Sequence, residues 1–503
     1  MKSSPRLLQL IFALFACGVS LRAEVRPAPL FQNNAVLQRD KPVPVWGTAE
    51  PGEQVSITFG TQTKSTHAGA DGRWMVTLDP LAASVKPGTL ILKASNTLTL
   101  NNILVGDVWL ASGQSNMEFI VRRTNDATVD VAASANPLIR HIKIEQRVAD
   151  EAATNAKGAW EIATPKTTGV FSAVAYYFAR DVVAATGIPV GIVNASVSGS
   201  QIEAWLDPDT LKAPVAADVR SAWAKTLEAF PARSAEHIPK QKAWEQAKAK
   251  AEAEGQPFTT TAPYAPPGPG HKHTPASLFN GMVNPVVPAA ICGVLWYQGE
   301  QNAVRAAQYR TLFPAMISGW RAKFAQGDIP FYWVQLANFA ADEPQGTRWA
   351  FLREAQANAL SLPKTGQVVA MDVGDVSDIH PRNKVPVGRR LARIALARHY
   401  GFKVIDNGPR YLSAAREGAG FRVKFEPYGK LRAPLNALVG FELAGEDKVF
   451  RPAQAKLERD TVLVTSPEVT APVAVRYAWR NAPEAGLFND DGLPAAPFRT
   501  DNW

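Results

Sequence analysis

The chain has 503 residues, of which 46% are hydrophobic and 20% are charged, and its 54 Lys and Arg against 45 Asp and Glu give a net charge of +9. This length predicts several domains with at least one large core, and the composition is that of an ordinary soluble globular protein. The positive charge is spread along the chain rather than collected in basic runs with interleaved aromatic residues, which argues against a nucleic-acid-binding protein.

Residues 1–23 have the pattern of a secretory signal peptide. Lys2 and Arg6 form a basic start, and 7–16 are apolar but too few to span a bilayer. An alternative interpretation places a lipoprotein anchor at Cys17. No later segment has the length of a membrane helix. The sequence therefore predicts an exported protein, periplasmic or extracellular, without an integral membrane span.

Residues 24–102 alternate short extended runs with turns. Pro-Gly and Asp-Gly pairs at 51–52, 71–72 and 87–88 separate the runs. Several short strands at this spacing are typical of a small antiparallel β-sandwich, so we expect an N-terminal β-rich module. The predicted strands are 43–47, 55–59, 74–78 and 89–94.

Residues 103–206 and 275–403 alternate continuously apolar runs with amphipathic segments. Such runs predict buried strands of a parallel sheet, and their alternation with helices predicts that helices cover both faces of that sheet. We therefore expect one α/β domain built from these two stretches. The predicted strands are 103–110, 190–195, 291–297, 331–336 and 367–372, and the predicted helices are 171–186, 307–324, 348–360 and 385–400.

Residues 207–274 interrupt this alternation and are predicted to be an insertion. The stretch 222–255 is rich in Ala, Lys and Glu and is predicted to be helical, whereas 263–275 is a loop rich in Pro and Gly. Short strands return in 404–503, which predicts a C-terminal β-rich module. Its predicted strands are 421–425, 438–443, 461–465 and 474–479.

Ser115 follows the predicted strand 103–110, within the segment Ala-Ser-Gly-Gln-Ser-Asn-Met-Glu. Gly113 allows a sharp turn, and a helix that begins after it favours negative charge near the serine. This setting fits the nucleophile of a hydrolase. It also fits an ordinary turn or helix-capping serine, so the rest of the chain must supply a base, an orienting acid and oxyanion donors.

Polar residues of matching chemistry follow three further predicted strands. Gly199 can turn a backbone N–H toward a shared pocket, and Asn302 offers a neutral side-chain donor for an oxyanion. His380 is the natural general base, because imidazole titrates near neutral pH. Asp378 lies two residues before it and can hold the imidazole. Ligands of parallel sheets bind at the carboxyl ends of the strands, so we expect these groups to meet.

Four sequence blocks make the chain recognisable as a whole. Gly-Gln-Ser-Asn-Met-Glu (113–118), Ile-Glu-Ala-Trp (202–205), Trp-Tyr-Gln-Gly-Glu-Gln-Asn-Ala (296–303) and Asp-Ile-His-Pro (378–381) occur in this order. In these blocks the chain resembles the sialate O-acetylesterase family, a branch of the SGNH or GDSL-like hydrolases. The resemblance runs over nearly the whole chain after 1–23. It implies an α/β fold with an SGNH-hydrolase-like three-layer domain and a parallel sheet, flanked by the two β-rich modules.

The resemblance also implies the roles of individual residues. Ser115 would be the nucleophile, His380 its base and Asp378 the acid that orients the base. The backbone N–H groups of Ser115 and Gly199 and the side chain of Asn302 would form the oxyanion hole. The family's reaction needs no metal and no organic cofactor.

Two positions depart from the family pattern. Ser377 occupies the place, three residues before the histidine, where the superfamily acid often lies, and this keeps Asp375 open as the orienting acid. Ser-Gly-Ser at 198–200 stands where family members often carry Gly-Gly-Thr, which leaves the exact substrate open. Arg353 is expected either to meet a sialic acid carboxylate or to form an ion pair on a helix surface. The expected substrate-binding residues are Gln114, Glu300 and Arg353.

The sequence therefore predicts an exported serine carbohydrate esterase that hydrolyses O-acetyl esters of sialic acid or a related sugar through an acetyl-enzyme intermediate. An acetylxylan-type polysaccharide esterase is an alternative, because the acyl group is shared and variable loops make the sugar contacts. A second alternative is a non-catalytic protein that binds glycans through its two β-rich modules. The expected partner is an acetylated sugar or glycan and not nucleic acid, and the sequence leaves the oligomeric state open.

Overall fold

The structure is a computed structural model that describes residues 24–340, 346–433 and 438–503. The predicted signal peptide and Cys17 lie outside these residues. Within the described ranges, no helix is both long enough and apolar enough to cross a bilayer. The first strands are mostly short, as the turn pairs at 51–52 and 71–72 predict, but Pro87-Gly88 lies inside the strand Ser84–Lys93, at an irregularity of its pairing, and not in a turn between strands. These strands are β1 (Arg26–Pro27), β2 (Val36–Gln38), β3 (Val43–Thr48), β4 (Gln54–Phe59), β5 (Gln62–His67), β6 (Arg73–Leu78), β7 (Ser84–Lys93) and β8 (Thr97–Gly113).

A mixed sheet forms the centre of the molecule. Its further strands are β9 (Asn136–Lys143), β10 (Trp160–Ala163), β11 (Val190–Ser196), β12 (Gly293–Tyr297), β13 (Phe331–Val334) and β14 (Thr365–Val368). The order is β10, β9, β11, β8, β12, β13, β14, and neighbours run parallel except for the antiparallel pair of β9 and β10. The α/β class is confirmed. The expected purely parallel sheet is corrected to a mixed one. β9 and its neighbour β10 are antiparallel, because no crossover helix connects them.

β8 joins the N-terminal strands to this central sheet. Its first half pairs antiparallel with β7, and its second half lies in parallel between β11 and β12. Residues 103–113 are buried, as their apolar sequence predicts. The strand runs without a break across residue 102, where the sequence predicts a domain boundary.

Side chains of the central strands alternate between two apolar clusters, each of which includes helices. The helices are α1 (Ser115–Glu118), α2 (Ala127–Ala132), α3 (Ala173–Thr186), α4 (Pro208–Lys212), α5 (Ala217–Ala253), α6 (Ala306–Phe324), α7 (Arg348–Ala357) and α8 (Val385–Arg398). Trp109 and Tyr332 pack with α3 and α8, whereas Leu110 and Trp333 pack with α6 and α7. Successive residues of a strand point to opposite faces, so helices cover both faces of the sheet.

α5 forms the predicted helix of the insertion and is almost entirely exposed. It contains Pro231 and Pro239, which its sequence composition alone does not lead one to expect inside a helix. The chain then returns along the helix, where Nε1 of Trp244 donates a hydrogen bond of 2.8 Å to the carbonyl oxygen of Thr260. This return leads to 271–273, next to the carboxyl ends of the central strands.

The C-terminal part forms short antiparallel sheets around a third apolar cluster. Val423, Leu443 and Tyr477 lie in this cluster. The strands are β15 (Tyr411–Glu417), β16 (Gly420–Phe425), β17 (Leu431–Arg432), β18 (Phe441–Ala444), β19 (Arg451–Pro452), β20 (Gln454–Glu458), β21 (Thr461–Thr465), β22 (Ala474–Tyr477), β23 (Phe488–Asn489) and β24 (Phe498–Arg499). Two four-stranded sheets, β15-β16-β21-β20 and β19-β18-β22-β24, make up most of it. The exact domain boundaries stay predictions.

Candidate active site

A cavity of about 660 Å³ opens beside the carboxyl ends of three central strands. The strands β8, β11 and β12 end there at Gly113, Ser196 and Tyr297. Ligands of open α/β sheets bind at this position in the fold. The wall residues that bear on its chemistry are Gln114, Ser115, Gly199, Gln301, Ile379 and His380.

Ser115 begins α1 directly after the end of β8. Gly113 makes this turn possible, because its φ is +133° and a Cβ at this position would lie 2.2 Å from the carbonyl oxygen of Tyr297. As the first residue of a helix, Ser115 has a backbone N–H without an intrahelical partner. The turn therefore brings both a hydroxyl and an unpaired backbone donor to the cavity wall.

His380 reaches the same cavity from the loop between β14 and α8. Its Nδ1 lies 3.6 Å from Oδ1 of Asp378, and this oxygen also accepts a hydrogen bond of 2.8 Å from the backbone N–H of His380. Asp375 binds its own loop, since its Oδ1 accepts hydrogen bonds from the backbone N–H and the hydroxyl of Ser377. Of the two acids considered, Asp378 is the one in contact with the imidazole.

The surroundings of His380 keep its imidazole in the neutral form. Burial lowers its pKa below the ordinary value, and the positive charges of Lys384 and Arg123 act in the same direction. The carboxylate of Asp378 acts in the opposite direction. A neutral imidazole at neutral pH is the form that accepts a proton from a hydroxyl group.

Gly199 forms another part of the wall, in the turn that follows β11. Its backbone is left-handed, with a φ of +67°, and a Cβ there would lie 3.0 Å from Nζ of Lys272. Lys272 donates a hydrogen bond of 2.8 Å to the carbonyl oxygen of Ser198, and Nε2 of His273 donates one of 2.8 Å to that of Gly199. Two residues at the end of the predicted insertion thus hold the turn that carries Gly199.

Asn302 lies behind the cavity wall and is 1% exposed. Its Nδ2 donates a hydrogen bond of 2.9 Å to Glu203, and its Oδ1 accepts hydrogen bonds from the backbone N–H of Ile202 and from Nε2 of Gln298. These bonds tie the loops after β11 and β12 together. Asn302 itself does not line the cavity, so its role as an oxyanion donor stays a prediction.

Gln114 and Glu300, both expected to bind substrate, occupy different positions. Gln114 lines the cavity, and its Oε1 accepts hydrogen bonds from the backbone N–H groups of Gly299 and Gln301. Glu300 is buried, with Oε1 2.6 Å from Nδ2 of Asn116 and with Oε2 unpartnered among the described residues. Burial raises the pKa of Glu300. The expectation of a substrate contact is therefore corrected for Glu300, which lies behind the wall.

Arg353 does not reach the cavity, and this corrects both expectations for it. Its guanidinium is fully buried, so it is neither at the substrate pocket nor on a helix surface. It carries five N–H donors, which backbone carbonyls can satisfy inside a protein. The four residues whose carbonyl oxygens accept its hydrogen bonds are Leu336, Ala337, Arg480 and Asn481. The sequence could not show this, because these partners come from two segments far apart in the chain.

Several residues at or next to the cavity have no role assigned by the sequence analysis. They are Arg123, Lys272, Asn116 and Lys384. For Lys272 a signal was present, since His-Lys-His at 271–273 is a run of ionisable residues in a loop otherwise rich in Pro and Gly. For Lys384 there was none, because a lysine before a helix is ordinarily solvated.

A second group of ionisable side chains lies at the amino ends of the central strands. Asp107, Cys292 and His399 offer three potential metal ligands, and Sγ of Cys292 is 3.1 Å from Nε2 of His399. Asp107 already accepts hydrogen bonds from Arg39 and Tyr400. Burial raises the pKa of the Cys292 thiol. Asp107 already pairs with the guanidinium of Arg39, and the raised pKa keeps the Cys292 thiol protonated. The group is therefore better explained as a hydrogen-bonded structural cluster than as a cation site.

The chain is similar to known proteins over most of its length. A family model described as "Carbohydrate esterase, sialic acid-specific acetylesterase" matches residues 105–230 and 270–397. The gap between the two ranges falls on the second half of α5 and the loop after it. A carbohydrate acetylesterase from Xanthomonas citri, known from its crystal structure, is 36% identical and superimposes with a TM-score of 0.81 over 95% of this chain and 100% of that one.

Sialate O-acetylesterases from two mammals resemble the chain over nearly its full length. The protein from Rattus norvegicus is 31% identical over 551 residues, which cover 98% of this chain and 98% of the relative. The protein from Homo sapiens is 29% identical over 531 residues, which cover 94% and 92%. The chain therefore belongs to the sialic acid-specific acetylesterase family of carbohydrate esterases and is an ester hydrolase.

Proposed function

We propose that this chain is a serine O-acetylesterase that removes acetyl groups from sialic acid or a related sugar. One observation carries the proposal: Ser115, Gly199 and His380 come from three separate segments that follow central strands, and they line one cavity. They supply a nucleophile, a backbone N–H donor and a base, which is the set that ester hydrolysis through a covalent intermediate needs. Membership of the family supports the same class of reaction.

The proposed reaction has two acyl-transfer steps. His380 accepts the hydroxyl proton as Oγ of Ser115 attacks the acetyl carbon, and the backbone N–H groups of Ser115 and Gly199 stabilise the oxyanion, with Asn302 as the proposed third donor. The bond between the acetyl carbon and the sugar oxygen then breaks, and the sugar oxygen takes the proton from the imidazolium. Water activated by His380 finally hydrolyses the acetyl-enzyme to acetate and the free serine.

Asp378 is proposed to orient the base during both steps. Its Oδ1 lies 3.6 Å from Nδ1 of His380 and accepts a hydrogen bond from the backbone N–H of the same residue. A proton on Nδ1 leaves Nε2 as the acceptor for the hydroxyl of Ser115. This arrangement supports Asp378 over Asp375, whose Oδ1 is occupied by Ser377.

An anionic sugar is the favoured substrate class. Arg123 and Lys272 both line the cavity, whereas its acidic wall residue, Glu118, is paired with Lys143 at 3.2 Å. The remaining positive charge favours a carboxylate-bearing sugar over neutral xylan. The names of the mammalian relatives point to the same sugar. An acetylxylan-type esterase is the second candidate, and the complete set of reacting groups argues against a glycan-binding protein without catalysis.

Two broader features belong to the proposal. We infer the three-layer arrangement of SGNH hydrolases for the central domain, which helices on both faces of the sheet and a cavity at the carboxyl ends of the strands support. We also infer that 1–23 direct export to the periplasm or the medium, which the basic start and the apolar stretch support. Fractionation of cells that express the full chain tests export.

Ser115→Ala tests the nucleophile. The variant is expected to lower kcat for p-nitrophenyl acetate by more than about 10³-fold, because no other group forms the acetyl-enzyme. Ser413→Ala, at an exposed position on β15, is the matched control and is expected to retain the wild-type rate. A folded Ser115→Ala protein that still turns over would reject the serine mechanism.

Acetate release from natural substrates tests the sugar. The wild-type enzyme is expected to release acetate from 9-O-acetyl sialic acid faster than from acetylated xylan or acetylated pectin. Preference for xylan would favour the polysaccharide esterase. An enzyme inactive on p-nitrophenyl acetate and on all three sugars would favour the glycan-binding alternative.

A further inference from the structure

A buried polar cluster lies directly behind the cavity wall. Asn116, Glu300 and Lys384 are 1%, 9% and 0% exposed, so none of them can contact a substrate directly without rearrangement. They come from α1, from the turn after β12 and from the residue that precedes α8. Asn116 follows Ser115 in the sequence, and Lys384 lies four residues after His380.

The carboxamide of Asn116 joins these three segments. Its Nδ2 donates a hydrogen bond of 2.6 Å to Oε1 of Glu300 and one of 3.0 Å to the backbone carbonyl oxygen of Ile379. Its Oδ1 accepts a hydrogen bond from Nζ of Lys384. Because Ile379 directly precedes His380, one side chain connects α1 to the loop that carries the base.

An amide is the residue type that suits all three partners of Asn116. An ammonium group can only donate hydrogen bonds, whereas a carboxylate and a backbone carbonyl can only accept them. An aspartate at position 116 would lose both donors and would place a second negative charge beside Glu300. These partners also fix the orientation of the amide, because its oxygen must face the donor Lys384 and its nitrogen must face the two acceptors.

The two charged partners interact with each other through this amide. The pKa of Lys384 is lowered to about 7, because burial outweighs the opposite influence of Glu300 and Asp378. The ammonium group also lies 4.9 Å from the ring centre of Phe119 and 5.5 Å from that of Tyr297. Burying ionisable groups costs free energy, so the presence of Glu300 and Lys384 next to the reacting groups points to a role in function.

We propose that Asn116, held by Glu300 and Lys384, is a positioning residue that fixes the loop of His380 relative to Ser115. The proposal rests on the proposed function, in which Ser115 attacks and His380 is the base. The amide touches neither the substrate nor the reacting atoms. It acts by keeping hydroxyl and imidazole at a productive separation, and errors of about 1 Å in such a separation can cost about 10²-fold in rate.

Asn116→Asp tests the proposal in the purified full-length enzyme with p-nitrophenyl acetate. We expect kcat to fall by about 10²-fold while KM changes by less than about threefold, because the geometry and not the binding of the ester is altered. Asn489→Asp in β23 is the matched control. Asn489 is also buried, donates to the carbonyl oxygens of Asn407 and Tyr428 and accepts from the backbone N–H of Leu493. The Asn489→Asp enzyme is expected to lose thermal stability but to keep the wild-type kcat per folded molecule.

Glu300→Gln and Glu300→Leu separate hydrogen bonding from packing. Gln retains an acceptor for Nδ2 of Asn116, so kcat is expected to stay within about threefold of the wild type. Leu has no acceptor, and kcat is expected to fall by about 10²-fold. Equal rates for the two variants would overturn the proposal, whatever their stabilities.

Lys384→Met is tested by the pH dependence of kcat/KM, which a loss of stability alone would not shift. Methionine keeps the apolar contact with Phe119 but removes the hydrogen bond to Asn116 and the positive charge. The charged groups that act on His380 are Asp378, Lys384 and Arg123, so loss of the ammonium raises the pKa of the imidazole. The acid limb of kcat/KM is therefore expected to move to higher pH, together with a lower kcat.

The outcomes separate this proposal from the proposed function. Active Ser115→Ala protein would reject the serine mechanism itself. Inactive Ser115→Ala with wild-type kcat in folded Asn116→Asp would reject the positioning role alone. If Asn116→Asp does not fold, Lys384→Met decides, and an unchanged kcat with an unchanged acid limb would overturn the proposal.

Discussion

Three charged side chains and burial act on the imidazole of His380. Burial has the largest influence and lowers its pKa, Asp378 raises it, and Lys384 and Arg123 lower it. The result is a pKa below the ordinary value of about 6.5. A general base must be neutral to act, so activity is lost as the pH falls through this pKa. The acid limb of kcat/KM is therefore expected below about pH 6.5.

Asp378→Asn is expected to move this acid limb to still lower pH. Loss of the carboxylate removes the charge that raises the pKa of His380, and the lowering influences remain. We also expect kcat to fall by about 10²-fold or more, because the amide no longer selects the tautomer with the proton on Nδ1. The measurement is the pH dependence of p-nitrophenyl acetate hydrolysis, followed from acid to alkaline pH.

Asp375→Asn is the matched variant in the same loop. Asparagine retains an Oδ1 that accepts the hydrogen bonds from Ser377, so the loop and the acid limb are expected to stay as in the wild type. If Asp375→Asn lowers kcat strongly and Asp378→Asn does not, then Asp375 orients the imidazole.

At the scale of elements, the insertion completes a wall that the central sheet leaves open. The turn after β11 places Gly199 at the cavity, but Lys272 and His273 hold that turn through the carbonyl oxygens of Ser198 and Gly199. The position of a proposed oxyanion donor thus depends on a segment outside the sheet. Variation in this segment can change substrate preference without altering the reacting groups.

Lys272→Met is expected to weaken the binding of an anionic sugar ester. Its ammonium group lies in the cavity wall, so its loss should raise KM for 9-O-acetyl sialic acid by about fivefold and leave KM for neutral p-nitrophenyl acetate unchanged. Lys250→Met, at an exposed position of α5, is the control and should change neither value. Loss of the hydrogen bond to Ser198 is expected to lower kcat for both esters alike, whereas equal changes in KM for both would mean that Lys272 acts only by holding the turn and does not recognise charge.

The strands that the sequence predicts are those with continuous apolar runs. The runs at 190–195 and 331–336 correspond to β11 and β13 within one or two residues at each end. β9 was not predicted, because it carries Arg140 and His141 in its buried part. The guanidinium of Arg140 is satisfied by acceptors on Asn102, far away in sequence. A local pattern cannot show such a partner, so a polar run is taken for a surface segment.

Part of the candidate site is predictable from the sequence, and part of it is not. Ser115, Gly199 and His380 follow strand ends, and the sheet brings strand ends together, so their meeting could be expected. The burial of Glu300 and Arg353 could not be expected, because it depends on partners that only the folded chain supplies. Charged residues are ordinarily exposed, and each exception requires a specific set of hydrogen bonds.

At the scale of the whole molecule, the C-terminal module is tied to the central domain near the loop that carries His380. Val369 and Met371, which follow β14, belong to the apolar cluster of the C-terminal strands. Glu354 of α7 accepts two hydrogen bonds, of 2.9 and 3.0 Å, from Arg499 of β24. The base loop therefore starts on a surface that the C-terminal module supports.

Arg353→Met tests whether this residue joins the two modules or serves the substrate. Removal of the guanidinium deletes hydrogen bonds to buried carbonyl oxygens in both modules, so we expect a loss of about 3 kcal/mol in the free energy of unfolding. Arg499→Met breaks ion pairs with Glu354 and Asp501, but Asp501 keeps Arg476 as a partner, so the loss is expected to be smaller, about 1 kcal/mol. Urea unfolding measures both losses.

Kinetics of the same two variants show whether Arg353 also contacts the substrate. A residue that contacts the sugar changes KM for sugar esters, whereas a residue that joins two modules changes the unfolding midpoint. Because Arg353 lies outside the cavity, kcat and KM per folded molecule are expected to remain as in the wild type. A variant with the wild-type midpoint but a raised KM for 9-O-acetyl sialic acid would restore the substrate contact that its buried position now excludes.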